Sequence, residues 1–311
     1  MKDKKILVTG GAGFIGSNLV ARVCRENEVV VIDDLSEGHL ENLAGLANVE
    51  FVKQDICDHA ATAKVFARSK PQIVFHFAAS FANQKSIEQP AQDLEINGLA
   101  TLNLLQQAKK TGVERFVYAS SSCVYGSANE AMREDAKPAP ETPYAITKLL
   151  GEYYASFFND FHGLAASVVR YFNVYGPNEY PGKYRNVIPN FFAKAIRREA
   201  LPVMGDGSDT RDYTFVRDAV EGTLLAAEKS AAVGGVFNIG RGEETRIADL
   251  AKKINSIAGN EKIDFVAKRG WDKVSRRRAS IEKARKTLGY APKTGLDEGL
   301  RETFAWLKKV V

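Results

Sequence analysis

The stretch Lys5-Ile6-Leu7-Val8-Thr9-Gly10-Gly11-Ala12-Gly13-Phe14-Ile15-Gly16-Ser17-Asn18-Leu19-Val20 decides the fold. A short apolar run breaks into glycines and then resumes with helical spacing, the pattern of a buried strand turning tightly into a helix. Gly10 and Gly13 remove side chains where backbone has to approach an anion, and Gly16 permits close packing of helix on strand. The helix N-terminus then presents its free amides to a phosphate. An ordinary tight strand-to-helix connection would use the same residues, so the turn needs support from the rest of the chain.

Working outward, β-branched runs at 6–9, 29–33, 49–54, 73–77, 116–120 and 166–171 alternate with amphipathic stretches at 14–26, 61–69, 94–111 and 144–161. Strands separated by connections of helical length pair in parallel, which predicts an α/β fold built on a doubly wound parallel sheet. After Phe172 the rhythm breaks in the turn-rich Asn173-Val174-Tyr175-Gly176-Pro177-Asn178-Glu179-Tyr180-Pro181-Gly182. A helix at 218–229 and a strand at 236–239 return to the sheet. The expected division is therefore 1–173 plus about 214–240 for a cofactor domain, and 174–213 plus 241–311 for a smaller α/β substrate-binding subdomain.

The 311 residues are 45% hydrophobic, enough for a substantial core, and 43 basic against 38 acidic residues give a net charge of +5. So mild an excess suits an anionic small ligand and not nucleic acid. Cys24, Cys57 and Cys123 form no metal-ligand spacing and no disulfide framework, so no metal is expected and a reducing compartment fits. The N-terminal residues run directly into the first strand, far short of a signal h-region or a membrane span, and a cytoplasmic protein is expected.

Asp33 ends the second strand at the spacing where a carboxylate hydrogen-bonds the ribose hydroxyls of a dinucleotide and repels a 2′-phosphate, which predicts NAD in preference to NADP. Asp34 is either a second ribose ligand or a solvated turn residue. Asp55 is either an acceptor for the adenine amino group or a strand-end cap. Tyr144 and Lys148 lie four positions apart at the start of a helix behind Pro143, on one face. A phenol made into a base at neutral pH needs its pKa lowered by about three units, roughly 4 kcal/mol, and a neighbouring ammonium together with a nicotinamide cation is expected to supply it. The strand ending Ala119-Ser120-Ser121-Ser122-Cys123-Val124-Tyr125-Gly126 places hydroxyls at the carboxyl edge of the sheet, where open α/β folds bind ligands.

Taken in this order, GGAGFIG, Asp33, the strand end His76-Phe77-Ala78-Ala79, SSxxVYG and YxxxK span essentially the whole chain and resemble the extended short-chain dehydrogenase/reductase family that acts on nucleotide sugars, on a Rossmann fold. The resemblance implies that Tyr144 is the base, Lys148 holds the nicotinamide ribose, and Ser121 bridges substrate and Tyr144, with Ser120 and Ser122 as register alternatives. It implies a cofactor shell of Gly10, Gly13, Phe14, Ile15, Gly16, Asp33, Asp34, Asp55, Ile56, Phe77, Ala78, Ala79, Asn97, Ser120, Tyr144, Lys148 and Tyr171. The substrate shell it implies is Ser121, Ser122, Tyr144, Asn173, Asn186, Val187, Val203, Arg211, Arg269 and Asp272, with Arg211 and Arg269 suited to a pyrophosphate.

The groups flanking the shared opening step select the reaction. The 4,6-dehydratases of this family carry an Asp-Glu pair after their hydroxyl residue, and the uronate decarboxylases a Glu, where this sequence has Ser122-Cys123. Cys123 is similar to the thiol of GDP-sugar 3,5-epimerases, but its partner position is Asn186, whose amide exchanges no proton, so Cys123 is expected to be a small buried residue. The resemblance therefore implies C4 epimerisation of a UDP-hexose, glucose/galactose or the N-acetylated pair. The alternatives are an epimerase or oxidoreductase acting on another nucleotide sugar (a UDP-uronate, a GDP- or dTDP-sugar) and a non-catalytic NAD-binding protein. The usual lysine after the fourth strand is replaced by Phe81 or shifted to Lys85, and Ser275-Arg276-Arg277-Arg278 lies where sugar size is read; that basic cluster is expected to be a solvated face or, alternatively, a reader of a charged sugar. No nucleic-acid or membrane partner is expected, and a homodimer through the helices at 94–111 and 144–161 is implied by the resemblance.

Overall fold

The computed structural model describes residues 1–128, 130–268, 270 and 274–311. Seven parallel strands form the central sheet in the order β11-β6-β5-β4-β1-β2-β3. They are β1 (Lys5–Thr9), β2 (Glu28–Asp33), β3 (Val49–Lys53), β4 (Ile73–His76), β5 (Arg115–Ser121), β6 (Ala166–Tyr171) and β11 (Val236–Ile239). Their cores are Val, Ile, Leu and Phe because each strand is covered on both faces. The order reverses between β1 and β4, and that reversal opens a crevice at the carboxyl edge.

One face carries α1 (Phe14–Val23) and α8 (Val216–Glu228). The other carries α2 (His59–Ser69), α5 (Ala100–Thr111) and α6 (Pro143–His162). Each face encloses its own apolar cluster, one around Val8, Val31 and Phe75, the other around Leu7, Val74 and Phe116. Alternate residues of one strand thus feed opposite cores. Short helices α3 (Asn83–Glu88) and α4 (Pro90–Asp93) come after β4, and the expected helix at 94–111 opens with a π turn, Leu94–Leu99, before α5 begins. Such turns often mark functional regions. Here Asn97 is buried within it, exchanging hydrogen bonds with both backbone groups of Ser80 at 2.9 Å.

Helix α6 starts where local chemistry demands. Thr142 caps it by accepting from the Ala145 amide at 3.3 Å, Pro143 fills its first turn, and Gly163 ends it with a φ of 66°. Gly151 lets this helix lie against the Tyr118 ring of β5, which brings Lys148 over the strand end.

Beyond β6 the strands are short. β7 (Val174–Tyr175) pairs with β10 (Thr214–Phe215), β8 (Leu201–Met204) with β13 (Ile263–Val266), and β9 (Thr210–Arg211) lies between β12 (Thr245–Arg246) and β14 (Arg276–Arg277). Helices α7 (Val187–Ile196), α9 (Ile247–Ala258) and α11 (Leu296–Leu307) pack together, while α10 (Glu282–Leu288) returns to β11 and α8. Of this part of the chain, the segment 173–186 with β9 and β14 forms the far wall of the crevice. Among the described residues, no helix is long and apolar enough to cross a membrane.

Candidate active site

A cleft of about 460 Å³ runs along the carboxyl edge from the β1–α1 turn to β14. At its cofactor end Gly10 adopts a φ of +70°, and a Cβ there would stand 2.6 Å from the Ala78 amide, so only glycine lets the turn pass the end of β4. Helix α1 has no side-chain cap and no acid in its first turn, and Gly13, Phe14, Ile15 and Gly16 line the cleft. Uncapped amides on a positive helix end fit a pyrophosphate. Asp33 is held at the edge by the Ala12 and Leu35 amides at 3.0 and 2.9 Å, and burial raises its pKa against the pull of those bonds.

Asp34 is exposed and closes a turn, accepting from the Ser36 amide and hydroxyl at 2.9 and 2.6 Å, and it also lines the cleft, so it fits both sequence readings. Asp55 caps the Cys57 amide at 2.8 Å and also lines the cleft with Ile56. Phe77, Ala78 and Ala79 form the floor. The ring of Tyr171 lines it as well, with the hydroxyl turned away to Thr223 at 2.6 Å.

Tyr144 and Lys148 enter from α6. The ammonium is buried, donates to the Ala119 carbonyl at 3.0 Å, and stands 5.9 Å from the centre of the Tyr144 ring. Burial lowers the Lys148 pKa to about 8, although Asp93 and Glu152 favour its charge. The expected acidified phenol depends on a nicotinamide cation as well as the ammonium, and the chain's own surroundings work in the opposite direction. Burial pushes the Tyr144 pKa well above its ordinary value, and the hydrogen bond from Ser121 and the charge of Arg277 do not offset it.

Geometry separates the three serines. The Ser121 hydroxyl reaches Tyr144 and also caps the Cys123 amide at 3.2 Å. Ser120 spends its hydroxyl on Glu152 at 2.5 Å, inside a buried ion pair with Arg170 whose shorter separation is 2.6 Å; only the remainder of Ser120 lines the cleft. Ser122 is buried in the turn after β5, at the cleft wall.

Several expected positions are corrected. Asn97 does not face the cleft: its amide fastens the Ser80 loop and Asp93, the latter at 3.0 Å. Val203 is fully buried in β8, and Val187 packs against the core at the start of α7, so neither lines the cleft. Cys123 is not a small buried residue but lies half exposed on the cleft wall, its sulfur 3.6 Å from Asn83 Nδ2 and from Arg277 Nη1. The basic cluster is not simply a solvated face either. Arg276 pairs with Glu244 at 2.6 Å, whereas Arg277 lines the cleft. Arg269 and Asp272 lie outside the described residues.

On the far wall Asn173 has a φ of 27° and a buried Oδ1 with no partner, while Arg211 contributes from β9. Asn186 also lines the cleft, and its amide donates to Glu179 Oε1 at 2.7 Å. Sequence reasoning missed Glu179, whose carboxyl is buried, carries an unpartnered Oε2 and has a pKa raised by burial to about 8. It also missed a clasp across the cleft mouth. Arg185 donates to Glu37 at 2.8 Å and lies 4.5 Å from the Phe81 ring centre, and Lys85 reaches the same carboxylate at 3.4 Å. These residues sit in turn-rich segments without periodicity, where no local signal links 37 to 185. Among the described residues no cluster of acids, histidines and cysteines suits a metal ion.

Residues 6–240 match the NAD dependent epimerase/dehydratase family. The chain belongs to it. A UDP-glucose 4-epimerase of Mycolicibacterium smegmatis is 36% identical over 311 residues, with 98% of both chains covered. Among solved structures, an epimerase of Methanothermobacter thermautotrophicus superposes with a TM-score of 0.96 at 43% identity, covering 99% of this chain and 93% of that one. The UDP-glucose 4-epimerase of Thermotoga maritima, solved with UDP-glucose, gives 0.94 at 37% identity, covering 98% and 99%. NAD is thus the cofactor of this nucleotide-sugar epimerase/dehydratase family member, as the Asp33 reading expected, and the uncapped α1 end, Gly10 and Asp33 are the features that fit it.

Proposed function

We propose that the protein epimerises C4 of a UDP-linked hexose, UDP-glucose/UDP-galactose or the N-acetylated pair, through a transient 4-keto sugar. The observation that carries this reading is the meeting of Tyr144, Ser121 and Lys148 at the crevice where the sheet order reverses. Bound NAD supplies a reversible hydride acceptor and a positive ring. With Lys148 and Arg277 as its cationic neighbours, the Tyr144 oxygen would take the C4 hydroxyl proton and later return it. Ser121 orients that hydroxyl. Lys148, fixed by the Ala119 carbonyl, would hold the nicotinamide ribose. Gly10, Gly13 and the start of α1 would hold the pyrophosphate, and Asp33 the adenosine ribose.

Asn173, Asn186 and Arg211 would grip the substrate's nucleotide diphosphate end, with Arg269 and Asp272 added by resemblance. A grip on that end leaves the sugar free to turn over about its phosphate linkage. Beside Ser121 the wall carries Ser122 and Cys123 and no acid pair, which leaves elimination of water without its proton shuttle. Residues 1–173 with about 214–240 would form the cofactor half, and 174–213 with 241–311 the substrate half.

A homodimer is part of the same reading. Leu99, Ile146, Tyr153, Phe157 and Phe161 leave large apolar surfaces exposed along the π turn and α6, and pairing with a second copy would cover them. Purified protein is expected to interconvert UDP-glucose and UDP-galactose, or the N-acetylated pair, without added NAD. A Tyr144→Phe variant should lose at least about a thousandfold in kcat while keeping its NAD; retention of most of the rate removes Tyr144 from the role of base.

A further inference from the structure

We infer that Arg277 makes the sugar end of the cleft a site for a hexose that carries a carboxylate next to the reacting carbon. The inference rests on the nucleotide-sugar reading of the site and concerns which sugar it prefers. β14 lies parallel to β9 with Arg277 opposite Arg211, so two guanidinium groups enter one cleft from neighbouring strands. Arg276, one residue earlier, spends its charge on Glu244. Arg277 has no carboxylate partner among the described residues. Its Nη1 meets the Cys123 sulfur at 3.6 Å, and its Nε is buried and unsatisfied.

Cys123 lies two residues past Ser121 on the wall beside Tyr144, and the charge of Arg277 is felt at the Tyr144 phenol. The guanidinium therefore stands at the reacting end of the substrate. Arg211 and Asn173 remain for the diphosphate. A neutral hexose covering this cation would strip water from it and return only hydroxyl hydrogen bonds, whereas a carboxylate returns a charge-assisted, two-pronged pair. Substituents on the two carbons flanking C4 are the ones within reach: a C6 carboxylate on C5, or a carboxylate carried on the C3 oxygen.

Binding to the NAD-loaded Tyr144→Phe variant tests this without turnover, with UDP-glucose and UDP-N-acetylglucosamine as neutral probes, UDP-glucuronate as the C6 acid and UDP-N-acetylmuramate as the C3-linked acid. At least one acid should bind tenfold or more tighter than its neutral counterpart, and which one does so identifies the position of the carboxylate. Adding Arg277→Gln should abolish that preference, chiefly by weakening the acidic sugar; Arg277→Lys should keep part of it. NAD content and melting temperature report whether the variants fold. Equal affinity for acidic and neutral sugars, or a preference that survives Arg277→Gln, overturns the inference. Because binding is read, it stands or falls apart from the C4 reaction, which fails separately if the wild type epimerises none of the four.

Discussion

The two walls of the cleft are built on different terms. Along the wall built by the long strands most polar groups already have partners, with Arg170 Nη1 a buried exception. Asp33 accepts two amides, His76 bridges Thr9 and Thr101 at 2.7 and 2.9 Å, Lys148 holds Ala119, and Glu152 neutralises Arg170. The opposite wall is left incomplete, with Asn173 Oδ1, Glu179 Oε2 and Arg277 Nε buried and unsatisfied. Long parallel strands can fix side chains through two covered faces, whereas two-residue strands and loops cannot. The comparison teaches that the cofactor side is preorganised by the fold, while the substrate side keeps polar groups that a ligand can complete.

The sharpest way to break this contrast is at Lys148. Lys148→Met should lower kcat/KM by about a thousandfold or more, since it removes a cation that cofactor and phenol share. In the wild type, kcat/KM should fall as pH rises through about 8, where the ammonium loses its proton, and a Lys148→Arg variant should not show that limb. An unchanged alkaline limb would place the titration elsewhere.

Next in size is the buried pair beneath Ser120. Glu152→Ala leaves the Arg170 guanidinium uncompensated and should cost about 3–5 kcal/mol in denaturant unfolding. An equivalent truncation on the far wall, Asn173→Ala, should cost far less stability and act on substrate KM.

Glu179 gives a smaller, pH-dependent effect. Its folded-state pKa is raised to about 8 from 4.5, so the folded protein holds a proton that the unfolded chain releases. Stability contributed by the neutral carboxyl is full below about pH 4.5 and is lost as pH rises through about 8. Glu179→Gln, which keeps the acceptor for Asn186, should match the wild type at pH 5 and melt at a higher temperature at pH 9. A variant less stable at pH 9 would show that the ionised form is compensated.

The smallest effect separates the neighbouring acids on the cofactor wall. Asp34→Ala should change NAD affinity by less than about threefold because the Asp34 carboxylate is already engaged by the Ser36 amide and hydroxyl. Asp33→Ala should cost at least tenfold more, measured by NAD binding to stripped protein. Equal losses would make Asp34 a second ribose ligand after all.

The sequence was informative where local rules coincide with global ones. A strand covered on both faces must be apolar throughout, so six strands and the return at Val236–Ile239 were readable to within a residue or two. The turn at Gly10 was equally readable, since a positive φ and a close approach leave glycine alone. Tyr144 and Lys148 were legible as a pair because helical spacing fixes their common face. Asn97 and Val203 were misplaced because the direction of a side chain in a π turn or a short strand depends on what packs above it. Glu37 and Arg185 meet across 148 residues of chain, and no periodicity foretells such a contact.

What the sequence determined alone was the strand and helix order, the glycine turn after β1 and the shared helix face of Tyr144 and Lys148; these stem from backbone sterics and from spacing along one element. The tertiary structure alone decided which serine meets Tyr144, that the Tyr144 phenol is buried, and that Arg277 rather than Arg276 enters the cleft. Those outcomes depend on desolvation and on charges brought together from distant segments, and both arise only when the chain closes on itself.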